Sequence, residues 1–323
     1  VVRAAGSAAV AGLTVLGPSA RVAAAASGDA PAMSHYVVPG GDARAADAAG
    51  YRSGCVDGRA GRPGLRVLFY GTQEADGKLR PPGTTEASPA ARFAEEWVQR
   101  NAEGWIRGFT QCGGVDAVLA LGVNNKSDGK ADPARAGAAW AALVERVAAT
   151  TPANRVVVAG ALDGEPSWSP PRWARSWVDS YVRGTHRRLY AADSADGCPE
   201  TTATQACAHG WTVADVYHVA TGAASTVLAL PQIYRTDGIQ ARQWAAIDAW
   251  ATRSGLAPLR IVGVLSQRSA CRQKGGCART ANSPEEALRQ LSEALGGSRA
   301  GTLMVTDVDW TPGDADPNQA AAG

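Results

Sequence analysis

Apolar residues fall along this chain in two alternating patterns. Short unbroken runs occupy residues 64–70 (GLRVLFY), 115–123 (VDAVLALGV), 155–162 (RVVVAGAL), 225–234 (STVLALPQIY), 259–265 and 301–306 (GTLMVT), with a weaker one at 188–192. Runs apolar on both faces belong to strands buried in a parallel sheet. Between them, apolar residues recur at helical spacing. Ser88-Pro89 opens a helix carrying Phe93, Trp97, Trp105, Ile106 and Phe109 and closing at Gly113-Gly114. Asp132-Pro133 opens another, with Trp140, Leu143, Val144 and Val147 on one side, and Ser169-Pro170-Pro171 a third, with Trp173, Trp177 and Tyr181. Further helices are predicted near 212–222 and over 240–254. The last starts at Ser283-Pro284-Glu285-Glu286, where a serine cap, a proline at the first position and acids in the first turn combine.

About seven strand–helix alternations predict an α/β fold. The reading adopted is a (β/α) TIM-like barrel with seven to eight parallel strands, and an open doubly wound sheet is the alternative. An open sheet would more often carry a phosphate loop after its first strand. GTQEADG at 71–77 matches neither GxGxxG nor GxxxxGK[ST], which disfavours nucleotide binding.

The flanks read differently. Residues 1–26 have an early Arg3, an apolar stretch over 8–16 and four alanines at 23–26, the pattern of a secretory signal; an alanine-rich tail is the alternative. Residues 27–50, rich in Ala, Gly and Asp without periodicity, are expected to be a disordered linker. The barrel domain is then 51–312, with 313–323 a flexible tail. No later run is long enough to span a membrane.

Composition narrows the function. The net charge of +2, with both signs interspersed, argues against a nucleic-acid partner. Six cysteines in an exported chain suggest disulfides, and sequence neighbours suggest the pairs Cys55–Cys112, Cys198–Cys207 and Cys271–Cys277. Zinc is disfavoured because no CxxC pair occurs and only four histidines exist; no metal and no cofactor is expected.

The informative stretch follows the run at 155–162. It reads Asp163-Gly164-Glu165-Pro166-Ser167-Trp168. Residues two apart in an extended chain point to one side, so Asp163 and Glu165 share a face. Two acids at the carboxyl end of a buried parallel strand stand where α/β barrels keep their chemistry. The plainer alternative is a turn whose acids cap the next helix. Other catalytic kits are missing: there is no GxSxG elbow and no HExxH. Carboxylates and carboxamides recur at strand ends instead, with Glu74, Asn124, Gln232, Gln267, Asp307 and Asp309 as candidate substrate contacts beside Trp168, Tyr234 and Trp310. Paired carboxyls with amides and aromatic platforms suit glycosidic-bond cleavage. Glu165, next to Pro166 and Trp168, is expected to stay protonated near neutrality, while Asp163, backed by an amide such as Asn124, stays ionised.

Ala-Leu-Asp163-Gly-Glu165 at a strand end resembles the D-x-E motif of the family 25 lysozyme-type muramidases, and the chain is similar to secreted actinobacterial glycoside-hydrolase-like barrels of unknown function. The resemblance implies Glu165 as the acid, Asp163 as its partner, and an Asp on the final strand, for which Asp307 or Asp309 stands. The chain departs from that family in lacking a clear Asp after the first strand, with Glu74 a loose substitute, and in placing glycine between the two acids. The expected protein is a secreted, monomeric glycoside hydrolase acting on a polysaccharide or cell-wall polymer. The alternative is a barrel of the same shape that binds glycan without cutting it. An extracellular hydrolase of another bond, or a structural surface protein, is the third reading.

Overall fold

The computed structural model describes residues 31–88, 90–151, 155–297 and 303–310. Eight parallel strands form a nearly closed barrel wrapped by helices. In chain order they are β1 (Ala32–Tyr36), β2 (Gly64–Gln73), β5 (Ala117–Asn124), β6 (Val156–Asp163), β7 (Leu189–Ala191), β8 (Val227–Ala229), β9 (Gly263–Ser266) and β10 (Met304–Trp310). Around the sheet the order is β8-β7-β6-β5-β2-β1-β10-β9, and the two ends meet through parallel bridges, Ala229 to Ile261 and Gln232 to Leu265. Two short strands, β3 (Lys78–Arg80) and β4 (Phe93–Ala94), add an antiparallel arm to the top of β2.

Strand parity sorts the side chains into two layers. Leu65, Val67 and Phe69 of β2 meet Val118 and Ala120 of β5 and Ala159 and Ala161 of β6 inside the barrel. The intervening Leu119, Leu121 and Val123 pack outward against helical residues such as Trp140 and Val144. This alternation is the period of two that a strand imposes.

The helices α1 (Ala43–Ala60), α2 (Glu95–Gln111), α3 (Pro133–Thr150), α4 (Pro171–Gly184), α5 (Val213–Tyr217), α6 (Ile239–Arg253), α7 (Arg268–Gln273) and α8 (Pro284–Ala294) follow the strands. Asp132 caps α3 by accepting the Arg135 amide, and Ser283 caps α8 by accepting that of Glu286, as their sequences predict. The disulfides are Cys55–Cys112, Cys198–Cys207 and Cys271–Cys277, the expected pairing.

Several expectations need correction. The segment read as a linker holds β1, which pairs with both β10 and β2, and the first turns of α1. The barrel therefore starts well before residue 51. Helix α1 hides because glycines replace apolar residues on its packing face. A Cβ on Gly54 would lie 2.7 Å from the Trp105 carbonyl carbon of α2, and one on Gly50 2.8 Å from that of Asn101. Missing side chains let the two backbones approach closely, with Cys55–Cys112 tying them. Helix α2 starts at Glu95, later than the Ser88 start, and Phe93 lies in β4; Pro89 is outside the described residues. Strand β10 runs to Trp310, past the expected end at 306. Within the cysteine loop after β9, residues 268–273 form α7. The proposed signal, 1–26, and tail, 313–323, lie outside the described residues. No helix among the described residues is long and apolar enough to cross a membrane.

Candidate functional site

A pocket of about 370 Å³ opens at the carboxyl ends of the strands. Inward parity brings its residues there. Asp163 continues the inward row of Ala159 and Ala161, and Asn124 continues that of Val118 and Ala120; the two are direct cross-strand partners. Gln232 extends the inward row of Leu228 and Leu230.

Two carboxyls, Asp163 and Glu165, line the pocket, and a third, Asp193, backs the turn between them. Asp163 is 8% exposed and accepts a hydrogen bond from Gln232 Nε2 at 2.6 Å. Asp193, after β7, is 2% exposed, and its Oδ1 accepts the Gly164 amide at 2.8 Å. Glu165 is half-buried, and its turn is fixed by Asn125, whose Oδ1 accepts the Glu165 amide while its Nδ2 donates to the Glu165 carbonyl. Removal from water disfavours the charged form of each. Burial, then repulsion from Asp193, pushes Asp163 up to about 7, against the pull of the Gln232 hydrogen bond and Lys126. Burial, then Asp163 and Asp196, pushes Glu165 up to about 8, with Lys126 opposing. Burial also raises Asp193 well above the ordinary range; the Gly164 amide opposes and Glu165 adds to the rise.

Lys126 is the cation nearest this group in effect. Its Nζ lies 4.8 Å from the Trp168 ring centroid and donates to the Thr84 carbonyl at 3.2 Å. Burial lowers its pKa, while Asp128, Asp163 and Glu165 draw it back up. Across the pocket Tyr36 and Tyr234 are hydrogen-bonded to each other, and burial, with the acids Asp163 and Glu165 nearby, raises both phenols. Tyr36 packs against Trp310 at 4.8 Å between centroids.

No family model matches the chain, and no curated protein does either.

Of the residues singled out in the sequence, the fold gathers Asp163, Glu165, Asn124, Trp168, Gln232, Tyr234, Gln267 and Trp310 around this pocket. Three others do not line it. Glu74 pairs with Arg80 Nε at 2.7 Å and so braces the β3 arm. Asp307 accepts from Ser266 Oγ and from the Arg268 and Ser269 amides, holding the start of α7 against β10. Asp309 accepts from His35 Nδ1 at 2.5 Å, and His35 Nε2 meets Asp57 of α1 at 2.9 Å. The reason is parity. Because β10 continues to Trp310, Asp307 and Asp309 alternate with the inward Val308 and Trp310. The expected role of Asn124 also changes: its Oδ1 accepts from Thr72 Oγ1 and the Lys126 amide, and Gln232 is the amide on Asp163.

Sequence reasoning passed over Tyr36, Lys126, Asp193, Asp196, Gln240 and Lys274. Tyr36 sat in the segment read as a linker. Asp193 and Asp196 follow the weakest strand, where an acid at a strand end was the available signal. Lysines in loops carry no periodic signal. Among the described residues no group of three or more His, Cys, Asp or Glu side chains could hold a metal ion.

Proposed function

We propose that this protein hydrolyses a glycosidic bond in its pocket, with Glu165 as the proton donor and Asp163 as the anionic partner. The carrying observation is the unequal environment of two adjacent carboxyls. Asp163 receives the Gln232 hydrogen bond, which favours its anion, whereas among the described residues no donor reaches the Glu165 carboxyl. The Gln232 hydrogen bond favours ionisation of Asp163 before Glu165, which leaves the proton of the pair on Glu165. In the reaction Glu165 gives its proton to the leaving glycosidic oxygen as the bond to the anomeric carbon breaks. The Asp163 carboxylate faces the positive charge that develops on that carbon. Water supplies the hydroxyl that ends there and the proton that restores Glu165.

The three disulfides fit work in an oxidising compartment, and a secreted protein acting on extracellular or cell-wall glycan is the corresponding setting. The D-x-E resemblance to the family 25 muramidases is a further, weaker support.

The test is release of reducing ends from peptidoglycan, chitin and common glucans. Wild type should act on at least one of them, and Glu165→Gln should lower turnover by roughly 10²–10⁴, the usual contribution of a general acid. Binding of a glycan without turnover by wild type would replace cleavage by a purely binding role.

A further inference from the structure

Lysine is scarce in this chain: four lysines accompany twenty-eight arginines. Two of the four, Lys126 and Lys274, line the pocket. Each is set against an indole, Lys126 at 4.8 Å from the Trp168 centroid and Lys274 at 4.4 Å from that of Trp310. Cation–π attraction of this kind fixes an otherwise mobile ammonium in place. The two couples occupy opposite sides of the barrel. Lys126 follows β5 and Trp168 follows β6, while Lys274 follows β9 and Trp310 ends β10. Round the ring β5 is four strands from β9 in either direction, and so is β6 from β10. The Cys271–Cys277 disulfide closes the loop that carries Lys274.

We infer that the glycan taken by this pocket is anionic, with one acidic group met by Lys126 beside the acid pair and another by Lys274 across the barrel. This rests on the glycan reading above and narrows it. In a neutral-sugar site the faces of Trp168 and Trp310 would be kept for the C–H faces of pyranose rings. Here each ring has a lysine on one face. Asp163, Glu165 and Asp196 line the same pocket, and the proton that Glu165 carries as the acid leaves less negative charge beside Lys126. A lysine is a compact point charge, suited to carboxylate or sulfate without dictating a planar fork.

The experiment uses the Glu165→Gln protein, in which turnover is slow, and titrates it calorimetrically with three galactose-based oligosaccharides of equal length. One is an oligogalacturonate, one a sulfated galactan and one a neutral galactan. At least one anionic ligand should bind more tightly than the neutral one, and which of the two binds better separates carboxylate from sulfate recognition. Lys274→Gln should weaken the anionic ligand by up to roughly fivefold, the most an exposed pair contributes, and leave the neutral ligand unchanged. Raised salt should act in the same direction. Neutral galactan binding as tightly as the anionic ligands, or indifference to Lys274→Gln, overturns the charge preference while leaving the glycan reading intact. No binding by any of the three overturns the charge preference on these glycans, and the glycan reading falls with it only if wild type also releases no reducing ends from peptidoglycan, chitin and common glucans.

Discussion

The Asp193 carboxylate takes the Gly164 amide at 2.8 Å, and a Cβ on residue 164 would lie 2.8 Å from the Asp193 Cγ. The glycine between the two acids is therefore there for Asp193 to approach. The same contact continues in the backbone, where the Ser194 amide donates to the Gly164 carbonyl at 2.8 Å. Gly164→Ala should displace the Asp193 carboxyl and lower stability by about 1–3 kcal/mol, the usual effect of overpacking a filled interior. Urea unfolding measures it. Unchanged stability together with unchanged turnover would show that Asp193 does not hold the turn.

The acids also set how stability varies with pH. Asp163 and Glu165 have folded pKa values of about 7 and about 8, against roughly 4 for free carboxyls. The folded state then binds more protons than the unfolded state between those limits. The stability these groups contribute is complete below about pH 4 and is lost as pH rises through the folded values. Glu165→Gln should flatten the fall between pH 5 and 8 that wild type shows, to the order of its share in that window. Chemical denaturation at several pH values gives the slopes, and parallel slopes in the two proteins would rule out a buried, protonated Glu165.

His35 gives a second window. Burial alone would lower its pKa, but Asp57 and Asp309 outweigh it and raise it to about 10. The ring is thus charged in the folded protein and links β1 to α1 and β10. Its contribution is fully present below about pH 6.5 and is lost as pH rises through about 10. His35→Gln leaves Asp57 buried beside Arg66 and should destabilise by roughly 3 kcal/mol or more, as loss of a buried partner does. It should also remove the alkaline loss. Thermal scans from pH 6 to pH 10 check both parts.

Most of the barrel is legible in the sequence because buried parallel strands are unbroken apolar runs, as at 115–123 and 155–162. The acid pair is legible because β6 ends where its apolar run ends. What stayed hidden has physical causes. Helix α1 packs through Gly50 and Gly54, so it lacks the apolar stripe that marks a helix. Strand β1 is five residues long and includes Ser34 and His35, both buried through hydrogen bonds with distant residues. Asp307 and Asp309 were misplaced because the end of β10 lies beyond its apolar part, and a strand's end decides which side its last acids face.

Cys55–Cys112 closes a 57-residue separation, from α1 across β2 to the end of α2. Chain-entropy reasoning gives about 4 kcal/mol for such a loop, against about 2 kcal/mol for the six-residue separation of Cys271–Cys277. The double replacement Cys55→Ser, Cys112→Ser should therefore lower the urea midpoint more than Cys271→Ser, Cys277→Ser. The reverse order would show that the α1–α2 contact through glycines holds without its covalent tie.

In the proposed reaction Glu165 carries a proton near neutrality beside an Asp163 that can ionise. The most direct measurement is carbon NMR of the carboxyl resonances in protein labelled at glutamate side chains, with Glu165 assigned by its loss in Glu165→Gln. A Glu165 resonance that titrates near pH 8 and is still mostly in its protonated position at pH 7 is the result predicted. A resonance that titrates near pH 4, like a free glutamate, would contradict the account.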